Sequence, residues 1–283
     1  MTQLSKKPSH IDFRPSLTGK IVFLTGGMGG IGRACIESFV AHGACVAFSY
    51  ADGQESAEIA NQLAATHLEQ LSAHPLDLRY LDSIERCMQA VMACWGRIDI
   101  VINNAAVGSA TVAAYADHPA EQDSAMLLIN ADGTLKVCQT FLRLMRPSLK
   151  TEPLKLINIS SVGGGVQAFP GFRLSDGMSK AAVALLTRQL AAELTDTLVD
   201  VFALCPGATN TGMFQASTLN KLSAEERQRF VTSLPKQRLI EPHEIASIIT
   251  FLASSYSTPM HGAVIDASMG LGVRPGLQTE YAH

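Results

Sequence analysis

Short apolar runs alternate with segments whose apolar residues recur at helical spacing along nearly the whole chain. A buried strand of a parallel sheet is typically a continuous apolar run, whereas an amphipathic helix repeats its apolar residues every three to four positions. Strands that alternate with helices form βαβ units, so the pattern predicts an α/β fold: a doubly wound parallel sheet of about seven strands with helices on both faces. The predicted strands lie in KIVFLTGG, ACVAFSY, LSAHPLDL, IDIVINNAA, LKLINISS, VDVFALCPG and GAVIDA.

Three of the predicted helices bear on the argument below. One long helix is expected from about Asp123 to Leu149, and another from about Asp176 to Leu194. The segment DSIERCMQAVMACWG is predicted as a helix that Asp82 or Ser83 could cap, because a short polar side chain there accepts hydrogen bonds from the first turn.

The amino-acid composition argues against several classes of protein. The 283 residues are 47% hydrophobic, which suits a large buried core, and the formal net charge of -3 offers no basic surface for nucleic acid. No apolar run is long enough to span a membrane, and the polar N-terminus lacks the core of a secretory signal, so a cytoplasmic protein without a membrane partner is expected. The six cysteines form no metal-ligand or disulfide pattern, and no metal is expected. We expect a flexible N-terminal arm over 1–17 and one domain over 18–283.

A glycine-rich loop follows the first predicted strand and leads into the first helix. It reads TGGMGGIG, from Thr25 to Gly32. Glycines at this position let backbone N–H groups and the helix N-terminus approach a phosphate closely. Tight-turn chemistry alone would also explain the loop, but its place after the first strand favours dinucleotide binding.

The loop spacing is TGxxxGxG, and with the later motifs it resembles the short-chain dehydrogenase/reductase family, in particular the 3-oxoacyl and acetoacetyl-CoA reductases. These motifs follow in the family's order over nearly the whole chain. The resemblance implies a Rossmann-like fold and an NAD(P)-dependent oxidoreductase. The matching motifs are LDL with Asp77, NNAA over 103–106, Asn130 in LLINADGT, NISS with Ser161, the SK pair Ser179–Lys180, and PGATNT with Thr211.

The same resemblance implies which residues bind the nicotinamide cofactor. The glycine loop meets the pyrophosphate, the end of the second strand the adenosine ribose, the third strand's end the adenine, and PGATNT the nicotinamide. The expected cofactor-binding residues are Gly26, Gly30, Ile31, Gly32, Ser49, Tyr50, Asp77, Leu78, Asn104, Lys180, Pro206, Gly207 and Thr211.

The choice between NADP(H) and NAD(H) depends on the end of the second strand. NAD-using members have an acid there that binds the ribose hydroxyls and repels a 2′-phosphate. NADP-using members usually have an arginine or a lysine instead. Here that place holds Tyr50 after Ser49, with Asp52 two residues on, and no basic residue stands in this turn or in the glycine loop before Arg33. The absent acid favours NADP(H), with NAD(H) as the alternative; Ser49 and Tyr50 could also be ordinary residues of a strand end.

The family's catalytic tyrosine is missing. The SK pair fixes the alignment, although the segment after Ser161 is slightly longer than usual, and Asp176 stands where the tyrosine belongs. The resemblance implies that Ser161 polarises the substrate, that Lys180 holds the nicotinamide ribose, and that Asn130 keeps a relay water in place. The expected catalytic residues are therefore Asp176, Lys180, Ser161 and Asn130. Alternatively, Asp176 is only an N-cap or a first-turn acid that the helix dipole favours.

An aspartate in this place faces two opposing effects. Acting as an acid near neutral pH requires its pKa to rise from about 3.9 to near 7, at a cost of about 4 kcal/mol. Burial raises the pKa, but Lys180 lies one helical turn away, and two charges ~4 Å apart attract by about 4 kcal/mol at an effective dielectric constant of about 20. The sequence alone does not decide which of these two effects on the pKa of Asp176 is larger. An ionised Asp176 could act as a base, or favour a positively charged iminium substrate.

We therefore expect an atypical NADP(H)-dependent oxidoreductase that transfers hydride to a C=O or C=N group of a small organic substrate. Two alternatives are a non-catalytic nucleotide-binding relative and a non-redox enzyme that uses Asp176 for proton transfer. The resemblance also implies a homotetramer or homodimer built on the two long helices. Arg173 is expected to be a solvated surface residue, and the segment after Thr211 a substrate lid.

Overall fold

Seven parallel strands form the centre of the computed structural model, which describes residues 16–51 and 54–273. The strand order in the sheet is β3-β2-β1-β4-β5-β6-β7, so the order reverses between β1 and β4. In such sheets, ligands bind beyond the carboxyl ends of the strands at the point of reversal. The strands are β1 (Ile21–Leu24), β2 (Cys45–Tyr50), β3 (Leu71–Pro75), β4 (Ile100–Asn103), β5 (Leu154–Ile159), β6 (Val199–Pro206) and β7 (Val264–Ala267).

Helices cover both faces of this sheet. Every residue of β4 is buried, and successive side chains point to opposite faces: Val101 packs in one apolar cluster, Ile100 and Ile102 in the other. Because both faces are covered, most residues of the strands are apolar, and the predicted fold is confirmed. The helices are α1 (Gly30–Ala41), α2 (Gln54–Ala65), α3 (Leu81–Trp95), α4 (Pro119–Leu127), α5 (Gly133–Leu144), α6 (Leu174–Glu193), α7 (Gly212–Ser217), α8 (Ala224–Ser233) and α9 (Pro242–Ala253).

The long helix predicted from Asp123 to Leu149 is wrong in its detail. It consists of α4 and α5 joined by one wide turn, Leu128–Asp132, with i→i+5 hydrogen bonding. A short 3₁₀ turn that contains Pro147 follows α5, because proline has no N–H to continue the helix. The wide turn contains Asn130, and such turns within helices are frequent at functional sites.

The predicted cap of α3 is also wrong. Tyr80 occupies the N-cap position and makes no side-chain cap hydrogen bond. Asp82 pairs with Arg86 one turn further on, at 2.6 Å, and the Ser83 hydroxyl accepts a hydrogen bond from the Asp77 N–H at 3.0 Å. Both side chains thus have partners other than the helix terminus.

The described chain begins at the end of the predicted N-terminal arm. Residues 1–15 of that arm lie outside the described residues. Leu17, its last residue, is buried, and its N–H donates to the carbonyl of His42. Within 16–51 and 54–273, no helix is long and apolar enough to cross a membrane.

Candidate active site

A cavity of about 2130 Å³ lies along the carboxyl ends of the central strands. It exceeds the roughly 300–1,000 Å³ of sites for drug-sized ligands, which leaves room for a dinucleotide together with a substrate. Of the predicted site residues, only Gly32 and Asn130 do not line it. Those that do are Gly26, Gly30, Ile31, Ser49, Tyr50, Asp77, Leu78, Asn104, Ser161, Asp176, Lys180, Pro206, Gly207 and Thr211.

The glycine loop is held in place from two sides. The Asn104 amide donates to the carbonyls of Thr25 and Gly26, at 3.0 Å each, and the Gly26 N–H donates to the Ser49 hydroxyl at 3.1 Å. A Cβ atom on Gly32 would lie 2.2 Å from the Gly26 carbonyl oxygen, so the loop can pack on α1 only because residue 32 is glycine. The N-terminus of α1 therefore meets the cavity at Gly30 and Ile31, as a phosphate-binding loop requires.

The wall of the cavity next to β2 and β3 contains the residues expected to meet adenosine. Ser49 is buried, and its hydroxyl is already bonded to the glycine loop, which sequence reasoning did not foresee. Asp77 is paired with Arg79 at 2.6 Å, and this hydrogen-bonded partner lowers the pKa of the carboxyl.

Arg79 and Tyr115 also line this wall, and sequence reasoning missed both. The Arg79 guanidinium lies over the rings of Tyr80 and Tyr115, 5.2 and 5.0 Å from their centroids. These distances suit cation–π contacts. Tyr115 comes from the connection after β4, far from Arg79 in sequence, so no sequence signal indicated the pair.

The three predicted catalytic residues of β5 and α6 share the other end of the cavity. Asp176 is the third residue of α6, with Arg173 at the N-cap, so Asp176 is not the cap. Lys180 lies one turn further on and donates from Nζ to the Ile159 carbonyl at 3.2 Å. Ser161 follows β5, and its hydroxyl accepts a hydrogen bond from the Gly163 N–H at 3.2 Å.

Burial dominates the electrostatics of Asp176. Its carboxylate makes no hydrogen bond or ion pair within the described part of the chain, although Lys180 and Arg173 are near enough to lower its pKa. Desolvation outweighs both cations, and the pKa of Asp176 is raised above its usual range. Burial also lowers the pKa of Lys180, against the opposing effect of the Asp176 charge. Burial thus shifts the pKa of each group in the direction that disfavours its charged form.

A glycine-rich turn over Val162–Val166 lies against the first turns of α6. Gly164 has a φ of +93°, and a Cβ on it would lie 2.2 Å from the Gly177 carbonyl oxygen. The Phe172 ring packs near Gly163. Gly164 therefore lets this turn approach the segment that carries Asp176.

Asn130 does not line the cavity, although its neighbour Ile129 does. Its amide oxygen accepts from the Val107 N–H and its amide nitrogen donates to the Val107 carbonyl, both at 2.9 Å. A longer contact of 3.3 Å joins the same nitrogen to the Ser179 hydroxyl. The side chain thus connects the loop after β4 to α6, and the relay-water role stays a prediction.

We expect Asn130→Ala to destabilise the protein by about 2 kcal/mol, because it leaves both backbone groups of buried Val107 unpaired. Urea unfolding of the variant would measure the loss. Asn61→Ala, at an exposed position of α2, is the matched control. Equal stability of the two variants would contradict the bracing role of Asn130.

The segments around the substrate end differ in part from expectation. Arg173 is not a solvated arginine: it pairs with Asp123 at 2.7 Å, and Ser175 donates to the same carboxylate. In the predicted lid, Leu219 is buried and packs the segment down. Met213, Phe214 and Phe230 line the cavity, with 6.1 Å between the two phenylalanine ring centroids.

A family model described as enoyl-(acyl carrier protein) reductase matches residues 26–272. The NADPH-dependent aldehyde reductase 1 of Arabidopsis thaliana is 31% identical to this chain over 92% of each protein. The rhamnolipids biosynthesis 3-oxoacyl-[acyl-carrier-protein] reductase of Pseudomonas aeruginosa is 31% identical over 90% of this chain and 97% of its own. Among solved structures, the RhlG/NADP active-site complex of Pseudomonas aeruginosa superposes with a TM-score of 0.79, at 30% identity over 91% of this chain and 98% of that one.

The chain belongs to the short-chain dehydrogenase/reductase family. The resemblance to 3-oxoacyl-acyl carrier protein reductases is confirmed, and so is the expectation of an NAD(P)-dependent oxidoreductase scaffold. That Asp176 takes the place of the family's catalytic tyrosine stays a prediction.

Proposed function

We propose that this protein is an NADP(H)-dependent reductase that transfers hydride to the carbon of a C=O or C=N group in a small organic substrate. Asp176 takes the place of the usual tyrosine as the proton donor. One observation carries this proposal: the Asp176 carboxyl lines the same cavity as Lys180 and Ser161 without a hydrogen-bond partner among the described residues, and burial raises its pKa. A carboxyl whose surroundings raise its pKa keeps its proton to higher pH and is suited to give up that proton during reduction.

Each side chain at the reacting end of the cavity has a separate role in the proposed reaction. NADPH supplies the hydride, and therefore both electrons. The neutral Asp176 carboxyl gives its proton to the oxygen or nitrogen as that atom gains negative charge, and is left ionised beside Lys180. The Ser161 hydroxyl donates a hydrogen bond to the same atom, and Lys180 holds the nicotinamide ribose. The positive charge of Lys180 then stabilises the ionised Asp176 carboxylate and offsets part of its desolvation penalty.

An aspartate reaches less far than a tyrosine, because its carboxyl lacks the length of the aromatic ring. The reacting group must therefore lie closer to the first turn of α6, or a water must bridge the gap. The close packing of the glycine-rich turn against Gly177 brings the wall of the cavity toward that turn. This arrangement favours a substrate whose reacting group is compact and penetrates deeply.

NADP(H) is favoured over NAD(H) by the end of β2. In 16–51, no acidic side chain lines the cavity there, and Tyr50 and Ala51 end that wall. A carboxylate at that position would repel a 2′-phosphate. Asp52 lies outside the described residues. Relatives named as NADPH-dependent or solved with NADP support the same choice.

We also propose that the protein acts as a homotetramer or homodimer through α6. Leu174, Met178 and Leu185 recur at helical spacing on this helix and are 82%, 58% and 65% exposed in the isolated chain. An apolar stripe of this kind is typical of an interface. A cytoplasmic location belongs to the proposal as well.

Parallel fluorescence titrations of the wild-type protein with NADPH and NADH test the proposed function. We expect saturable binding of both, tighter for NADPH, followed by reduction of ketones or cyclic imines with consumption of NADPH. Failure to bind either dinucleotide would overturn the proposed function, whereas dinucleotide binding with no reaction of any kind would support the non-catalytic alternative. Binding without turnover, combined with proton exchange at a substrate carbon, would favour the non-redox alternative.

A further inference from the structure

We infer that Arg33 is the residue that recognises the cofactor's 2′-phosphate and so sets the preference for NADP(H). The inference rests on the proposed function, because it deepens the assignment of the cofactor. Ser49 and Tyr50, the two residues expected at the end of β2, supply no positive charge for a 2′-phosphate. The Ser49 hydroxyl is also bonded already, to the Gly26 N–H.

The position of Arg33 follows from its contacts with the glycine loop. Its Nε donates to the Met28 carbonyl at 3.4 Å, and the side chain lines the cavity. The loop itself lies across the end of β2, since the Gly27 N–H donates to the Ser49 carbonyl. The guanidinium is thus tethered to the part of the loop that adjoins Ser49 and Tyr50, where the adenosine ribose is expected.

Arg33 is also available for a ligand. It is exposed, and it has no acidic partner in 16–51 or 54–273. The other arginines on the cavity wall are engaged, Arg79 with Asp77 and Arg173 with Asp123. Lys180 is bonded to a carbonyl at the opposite end.

The charge balance around this position favours an anion. Among the described cavity-lining residues the carboxylates are Asp77, Asp123 and Asp176. Asp77, the one on the adenosine wall, is neutralised by its pairing with Arg79. A planar guanidinium offers paired donors that match phosphate oxygens, whereas NADH presents only a hydroxyl there.

The test is the affinity of Arg33→Ala for NADPH and NADH, measured by fluorescence titration, with displacement by 2′,5′-ADP and by 5′-AMP. We expect the Kd for NADPH to rise about tenfold or more, because a charge-assisted phosphate contact is lost. The Kd values for NADH and 5′-AMP should stay unchanged. Arg33→Lys should retain part of the preference, since it keeps the charge without the fork.

Arg86→Ala is the matched control, because Arg86 is an exposed arginine on α3 whose partner is Asp82. It alters net charge equally and should leave both affinities unchanged. If Arg33→Ala keeps the wild-type ratio of NADPH to NADH affinity, Arg33 is not the phosphate ligand. A wild-type protein that binds neither dinucleotide would instead overturn the proposed function, and this assignment with it. An unchanged Tm for Arg33→Ala would separate lost binding from lost folding.

Discussion

Replacing Asp176 by asparagine is expected to lower kcat/KM for carbonyl reduction by about 10²–10⁴-fold, the usual contribution of a positioned general acid. Asparagine keeps the shape of the side chain but has no acidic proton to give. The Kd for NADPH should change little, because the glycine loop and β2 lie at the other end of the cavity. Steady-state kinetics with a ketone substrate, together with an NADPH titration, would measure both quantities.

The raised pKa of Asp176 also predicts how the activity of the wild-type protein changes with pH. Asp176 must be protonated to act as an acid, so kcat/KM of the wild-type protein should be highest at low pH and decline as pH rises through the raised pKa of Asp176. The Asp176→Asn variant should lose this titration. A fixed-charge iminium substrate distinguishes the alternative role: if the ionised carboxylate stabilises a cation, its reduction should instead speed up as pH rises through the same pKa.

In the Asp176→Asn variant, stability should change in the opposite direction to activity. A carboxyl whose folded pKa is raised contributes most to stability below its unfolded pKa of about 3.9 and loses that contribution as pH rises through the folded pKa. Asp176→Asn removes this penalty, so its Tm should exceed that of the wild type at neutral pH, and the difference should vanish in acid. A gain in stability with a loss of activity is typical of a strained catalytic group.

Asp196→Asn is the control for both effects, because Asp196 is exposed beyond the end of α6. It should behave as the wild type in kinetics and in unfolding. If Asp176→Asn retained full activity, the proton would have to come from another group. The role of Asp176 would then reduce to that of a first-turn acid.

The second large effect is expected for Gly32→Ala. The added Cβ would lie 2.2 Å from the Gly26 carbonyl oxygen and 2.9 Å from the Gly27 Cα atom, so the backbone of the glycine loop must move. We expect a destabilisation of about 1–3 kcal/mol, the usual cost of overpacking. NADPH affinity should fall about a hundredfold, because the displaced N–H groups no longer reach the pyrophosphate.

Gly212→Ala provides the comparison. Gly212 also lines the cavity, but a Cβ on it meets nothing within 4 Å, and its backbone is not left-handed. Its stability should equal that of the wild type in urea unfolding, and its NADPH titration should show wild-type affinity. Equal NADPH affinity of the Gly32→Ala variant would show that the loop does not hold the pyrophosphate.

The order of elements was predictable because it depends on local pattern. Strands such as β4 and β5 are buried along their whole length, and most of their residues are therefore apolar. Helix boundaries were less accurate: α6 begins at Leu174 rather than Asp176, since the contacts of Arg173 and Ser175 with Asp123 of α4 fix its first turn. The wide turn at Leu128–Asp132 had no local signal, because it serves the bond between Asn130 and a distant loop.

The sequence by itself determined the α/β fold, the family and the placement of Asp176 one helical turn before Lys180. These features follow from the spacing of residues along the chain, because helices and strands each impose a fixed periodicity on their side chains. Only the tertiary structure decided the balance between desolvation and the lysine at Asp176, because both depend on what distant segments pack around the carboxyl. It likewise decided that Ser49 holds the glycine loop and that Arg79 is bound by Asp77 while Arg33 is not paired with any described acid. Charge and burial are properties of neighbours in space, and the fold alone brings those neighbours together.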